Sequence, residues 1–151
     1  MNIVEIDKKE IYGIITRTTN TDEMNPKTAK IGKIWQKFAT EVSVDYQNGE
    51  RVYGVYYNYQ SDADSKFNVL AGYEQASSSL EKVTIQKGRY IVFTGQASTA
   101  DDNGRIQAVI ATWTKVWEYF GNNSSKHNRA YKTDFEYYKN QTDIDIYISI
   151  V

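Results

Sequence analysis

Apolar and polar positions alternate most plainly at the end of the chain. Ile144, Ile146, Ile148 and Ile150 are interleaved with Asp143, Asp145, Tyr147 and Ser149, the period-two pattern of an antiparallel strand with one buried face. Two other stretches carry the helical period. Ile31, Ile34, Trp35, Phe38 and Val42 fall at i, i+3, i+4, i+7 and i+11, and Asn25 as a cap with Pro26, the only proline, at the first helical position predicts where that helix begins. From about Arg105 to Tyr119 a second helix carries Ile106, Val109, Ile110, Trp113, Val116, Trp117 and Phe120 on one face, and Gly121 ends it. YGIITRTT and RYIVFTGQ, both rich in β-branched residues, read as strands.

These elements recur in order. KIGKIWQKF (30–38) aligns without gaps on TWTKVWEYF (112–120), KEIYGIIT (9–16) on KGRYIVFT (87–94), VYGVYYNY (52–59) on AYKTDFEY (130–137), and FNVLAGYE (67–74) on IDIYISIV (144–151). A shared order with similar spacing argues for duplication of a unit of about 75 residues. The expected fold is α+β: two βαββ units, about 1–76 and 77–151, forming a single domain (1–151) about a pseudo-two-fold, with QASSSLEK as the linker and SDADSK and TADDNG as loops. Each unit offers one apolar helix stripe and one apolar sheet face. Two copies bury these by packing together, and the seam between their helices becomes a natural ligand groove.

Composition narrows the function. The net charge is −1, from 18 basic and 19 acidic residues spread along the chain, which argues against direct nucleic-acid binding. No apolar run approaches the roughly 20 residues of a membrane span, and neither a secretory leader nor any cysteine is present, so a cytoplasmic protein is expected. No nucleophile motif, phosphate loop or metal cluster stands out, and no cofactor is expected. DDNG lacks the ordered ligands of a calcium loop and reads as a turn into the second helix, His127 sits in a polar loop, and Asn122, Asn123 and Asn140 open sequons of no consequence in the cytoplasm. The unusual feature is 13 Tyr, 5 Phe and 3 Trp, a content suited to a cavity with apolar faces and hydroxyl handles.

Within RAYKTDFEYY (129–138), two carboxylates interrupt an aromatic strand that propensity would leave free of them. Alternation sets Glu136 on one face with Lys132 and Asp134, a face that by itself reads as solvated. Its counterparts in the first repeat, Val52, Gly54, Tyr56 and Asn58, do not, and strands at a pseudo-symmetric seam present equivalent faces to the groove. Glu136 is therefore expected at the seam, across the axis from Asn58. There desolvation raises its pKa, and aromatic faces within about 6 Å add roughly 0.5–2 kcal/mol of attraction for a cationic ligand. Glu74 is a second acid to consider there, although an exposed strand end suits it better. Trp35, Trp113 and Trp117 lie on the helix stripes and are expected mainly in the core.

KIGKIWQKF, VYGVYYNYQSD, AGYE, TWTKVWEYF, RAYKTDFEYY and IYISI together resemble the integron-associated effector-binding proteins, a branch of the GyrI-like superfamily that also supplies ligand-binding domains to AraC-type transcription activators. The resemblance covers nearly the whole chain. It implies two βαββ repeats whose seam binds hydrophobic, often cationic compounds, and through DFExY it carries the acidic pocket residue onto Glu136, with Tyr56, Asn58, Trp113 and Trp117 as neighbours. Regulators of this type fuse the domain to a helix-turn-helix segment, for which two repeats in 151 residues leave no room, so a free-standing effector domain is expected, working alone or through a transcription-machinery or DNA-binding protein partner. The alternative it implies is a hydrolase of reactive small molecules, with Glu136 as general base and Tyr56 as the hydroxyl.

Overall fold

The computed structural model describes residues 2–122 and 125–151; the sequon asparagine Asn123 lies outside them. In chain order the elements are β1 (Asn2–Ile6), β2 (Lys9–Thr18), the one-turn α1 (Asn20–Glu23), α2 (Ile31–Glu41), β3 (Val52–Tyr57), β4 (Phe67–Tyr73), β5 (Glu81–Ile85), β6 (Gly88–Gln96), α3 (Asp102–Gly121), β7 (Thr133–Tyr138) and β8 (Asp143–Ser149). All eight strands join one antiparallel sheet in the order β1-β6-β8-β7-β3-β4-β2-β5. Read from either end, this order is the same sequence of equivalent strands, so the two βαββ units meet at β3 and β7 about a pseudo-two-fold. Each unit is preceded by a short strand that the periodicity did not reveal, and these strands cross over. β1 pairs with β6 of the second unit and β5 with β2 of the first. The exchange binds each half to the backbone of the other.

Alternation divides the sheet into two faces. On one face α2 packs Ile34 and Phe38 against Phe67, Val69 and Ala71, while α3 packs Trp113 and Val116 against Ile91, Ile144, Ile146 and Ile148. The other face curls around its own core of Ile11, Val55, Leu70, Ile85, Tyr90 and Phe135. The curl brings the end of β5 to β7 although three strands lie between them, and the Gln86 amide donates to Thr133 Oγ1 at 3.0 Å. Close approach of β2 and β4 depends on a cross-strand glycine pair, Gly13 and Gly72. A Cβ on Gly13 would stand 1.9 Å from the Ala71 carbonyl oxygen, and one on Gly72 2.2 Å from that of Tyr12. Among the described residues, no helix is long and apolar enough to cross a membrane.

Three local features depart from the sequence reading. α2 begins at Ile31 rather than at Pro26, because Asn25 instead closes a turn over Lys27, Thr28 and Ala29, and the Glu23 carboxylate reaches across to cap the Lys30 and Ile31 amides. Here a cap distant in sequence overrides a good local start signal. Tyr12 and Tyr90, matched by the gapless alignment, lie on opposite faces: Tyr12 pairs with Tyr73 of the α2 side, whereas Tyr90 belongs to the curled core. A one-residue slip in register is enough to invert a strand. On α3 the apolar stripe is wider than the sheet can cover, so Ile106, Ile110 and Trp117 remain exposed while Trp113 and Val116 are buried.

Gly13→Ala is expected to cost about 2–4 kcal/mol, because the new methyl meets backbone that cannot rotate away. Gly32→Ala on α2, where a Cβ meets nothing within 4 Å, should be neutral or stabilise by up to about 1 kcal/mol. Urea titration of the two variants checks both.

Candidate functional site

Asp134, Glu136 and Tyr138 share the face of β7 that looks toward the helices, and β7 lies at the middle of the sheet. Opposite Glu136 on β3 stands Gly54. The missing side chain makes room for the acid: a Cβ there would come within 2.6 Å of Glu136 Oε1 and 3.2 Å of the Trp35 ring. Glu136 is 1% exposed. Its Oε2 accepts hydrogen bonds from the Tyr56 hydroxyl and from Trp113 Nε1, both at 2.7 Å, and its Oε1 accepts one from the Tyr138 hydroxyl at 2.8 Å. Trp35 stands edge-on to Tyr138 with ring centres 5.4 Å apart, and Tyr56 edge-on to Trp113 at 5.0 Å.

Every donor to Glu136 is neutral. No lysine, arginine or histidine among the described residues forms an ion pair with it. Burial pushes its carboxyl above the usual carboxylate range, and the three hydrogen bonds pull only partly the other way. Burial, reinforced by the carboxylate, in turn pushes the Tyr56 and Tyr138 hydroxyls well up.

Asp134, two residues earlier on the same face, is buried to 0% exposure and treated differently. Arg129 Nη2 pairs with its Oδ2 at 2.7 Å, the Tyr59 hydroxyl donates to the same oxygen at 2.6 Å, and the Ser149 amide and hydroxyl donate to Oδ1 at 2.8 and 3.1 Å. The guanidinium lies over the Tyr131 ring, 4.6 Å from its centre, and 5.7 Å from that of Tyr59. The two acids of the aromatic strand thus divide. One holds a cation from its own chain, and the other holds none among the described residues.

Of the residues singled out in the sequence, Glu136, Tyr56 and Trp113 come together in direct contact. Trp117 leans on Trp113 with ring centres 6.2 Å apart and is 41% exposed. Asn58 lies past the end of β3, exposed, with a left-handed φ of 55° and its carbonyl accepting from Arg17 at 3.0 Å. The expectation that it faces Glu136 across the axis fails for a geometric reason: symmetry mates on antiparallel strands move apart on opposite sides of a two-fold, and only residues at the axis, here Tyr56 and Asp134, pair with their own mates. Glu74 belongs to the curled face, bonded to the Tyr53 hydroxyl and paired with Lys9 at 3.5 Å. Sequence reasoning missed Tyr138, Gly54 and the seam position of Trp35. Two of these left a signal: Tyr138 shares Glu136's face by alternation, and a glycine inside a strand marks close approach. Trp35 left none, because only the meeting of the two units brings α2 over β7.

Aromatic side chains fill the seam. The room beside Tyr138 is a cavity of about 10 Å³, lined by Arg105, Ala108, Val109, Tyr138, Asn140, Thr142, Asp143 and Ile144. Among the described residues, no cluster of three or more acidic, histidine or cysteine side chains is placed to hold a metal ion.

Two βαββ units sharing one antiparallel sheet, with a buried acid between their helices, are here the architecture of an effector-binding domain. The chain belongs to the family of integron-associated effector-binding proteins, whose model matches residues 2–150. It is 39% identical to an integron cassette protein from the mobile metagenome of Vibrio cholerae, with a TM-score of 0.85 over 99% of this chain and 95% of that one. It shares its fold, at 14% identity in each case, with a putative bacterial transcription regulation protein from Staphylococcus aureus (TM-score 0.70, covering 99% and 96% of the two chains) and with SAV2435 bound to tetraphenylphosphonium (TM-score 0.64, 99% and 93%). No curated protein matches the chain.

The two acids should respond oppositely to loss of charge. Glu136's folded pKa lies above its unfolded value, so its contribution to stability is complete below the ordinary carboxylate range and is lost as pH rises through the raised value. Glu136→Gln should therefore match the parent in melting temperature at about pH 4 and exceed it increasingly toward about pH 8. Asp134→Asn leaves Arg129 as an uncompensated buried charge and should cost about 3–5 kcal/mol. Thermal and urea unfolding across pH check both.

Proposed function

We propose that the chain binds a hydrophobic, cationic organic effector at the seam, with Glu136 as its counter-charge. One observation carries this reading: Glu136 is fully buried among neutral donors with no cation from the described residues, while Asp134 two residues away is given one. A buried unpaired carboxylate costs several kcal/mol, and a strand that could have carried an apolar residue gains nothing for the fold by keeping it. A ligand cation about 4 Å away would recover about 4 kcal/mol at the effective dielectric of such sites. The rings that enclose the acid, Trp35, Tyr56, Trp113 and Tyr138, provide π faces for the same cation. The exposed Ile106, Ile110 and Trp117 on α3 extend an apolar surface outward from Trp113.

Because these rings close the seam, binding requires some of them to part. Trp35 is the natural one to move: it is half-buried, whereas Trp113 is tied to Glu136 by its indole N–H. The effector-bound chain then acts as a sensor through a regulatory protein partner or as a sink for the compound, and its likeness in fold to a transcription regulation protein favours the sensor. The alternative, a hydrolase of reactive small molecules, draws on the 2.7 Å contact between Tyr56 and Glu136. Turnover of a reactive electrophile beyond one equivalent would favour it over binding.

Tetraphenylphosphonium, found on SAV2435, is a suitable probe. It should quench the tryptophan fluorescence saturably, and Glu136→Gln should weaken binding by about tenfold to a hundredfold, or about 1.4–2.8 kcal/mol. Affinity should fall as pH is lowered through the raised Glu136 range, since the neutral carboxyl has no charge to offer. Equal affinity of parent and variant would remove the counter-charge role.

A further inference from the structure

Glu136 is sealed from water, and a cation arriving beside its protonated form must expel a proton. Each of its three hydrogen-bond partners is a possible first step out. The Trp113 indole carries one hydrogen and has no acceptor, so it cannot pass a proton on. The Tyr56 ring is wedged between Phe67 and Trp113, with ring centres 5.7 and 5.0 Å away, and it does not line the cavity. Tyr138 differs. Its hydroxyl donates to Glu136 Oε1 at 2.8 Å, and Tyr138 lines the cavity of about 10 Å³, about the least room that admits one water.

We propose that this cavity is a water site, and that the Tyr138 hydroxyl and this water relay the Glu136 proton to solvent. A water needs two to four polar partners, and Tyr138, Arg105, Asn140, Thr142 and Asp143 line one side of the cavity, with Ala108, Val109 and Ile144 forming an apolar wall. The rim is open to solvent, because Asn140 is exposed and the Arg105 side chain is 33% exposed. The guanidinium is fixed there by Asp102 and by the carbonyls of Ala100 and Gln141.

The step balances without any change in electrons. The Glu136 O–H bond breaks as its proton moves to the Tyr138 oxygen, the original Tyr138 proton passes to the water, and the water gives one of its protons to bulk solvent. The net result is one proton moved from Glu136 to solvent, with carboxylate, tyrosine and water restored. Arg105 beside the route makes the Tyr138 hydroxyl a readier proton donor, against the larger opposing effects of burial and Glu136. The groups facing the relay are Arg105 from α3, Asp143 from the start of β8 and Tyr56 from β3, while α2 and the body of β8 present Trp35 and Ile146.

This relay serves the cation-binding reading, but its test needs no ligand. After a rapid pH jump across the raised carboxyl range, Trp113 fluorescence reports Glu136 protonation through their shared hydrogen bond, and the phase to follow is the one abolished in Glu136→Gln. Tyr138→Phe should slow that phase by about tenfold or more. Val109→Ile, one methylene larger at the cavity wall, should slow it comparably without moving the titration midpoint, an effect that a merely structural role of Tyr138 would not produce. Wild-type rates in both variants, or equal slowing by Tyr56→Phe, would overturn the relay. Absence of tetraphenylphosphonium binding would overturn the cation reading and leave this result standing.

Discussion

The site depends on one carboxylate held inside a protein that does not neutralise it. Glu136 lies at the centre of the sheet, at the junction of the two repeats, where water is excluded by rings on both helices. Three hydrogen bonds satisfy its oxygens, so it is not an orphan in the hydrogen-bonding sense. Its charge is another matter. Neutral donors soften a buried charge without cancelling it, and so the site favours either a proton or an incoming cation. On the proposed reading the two occupy the same role, so proton release accompanies cation capture.

The neighbouring Asp134 shows that the fold can supply a cation when structure alone requires one. Arg129, stacked on Tyr131 and paired with Asp134, reproduces within the chain the chemistry of an acid beneath aromatic faces that recognises an organic cation. The two sites differ in where the strand ends. Asp134 lies near the start of β7, where the preceding loop can fold an arginine back onto it. Glu136 lies further in, opposite Gly54 and beneath Trp35, where the incoming chain does not reach.

Duplication explains how such a place arises. Two βαββ units meeting through β3 and β7 put two unequal strands at the middle of one sheet with a helix on either side, and the exchanged strands β1 and β5 hold the halves in register. A two-fold sets equivalent residues on opposite sides of its axis, so the repeats can diverge at the seam without losing their common framework. Glycine facing glutamate is the outcome on one side, and asparagine in a loop on the other. What the seam loses in stability through a desolvated acid, the two cores on the helix side and the curled core behind them supply.

The sequence by itself determined the framework. The alternating isoleucines of β8, the stripe of α2 and the ordered recurrence of four segments each carry a local period, and such periods survive in sequence because a buried face requires them. They made the duplicated α+β fold legible; alternation set Glu136 on one face with Asp134, and comparison with the first repeat assigned that face to the seam. Only the tertiary structure decided which acid received a cation, that Gly54 rather than Asn58 stands opposite Glu136, that α2 begins beyond Pro26 under the carboxylate of Glu23, and that rings fill the seam. Each of those outcomes is a pairing between residues of different elements, and the register of β3 against β7 joins positions some eighty residues apart. A period repeated along the chain fixes which face a side chain takes, but what it meets on that face depends on how distant segments come to lie together.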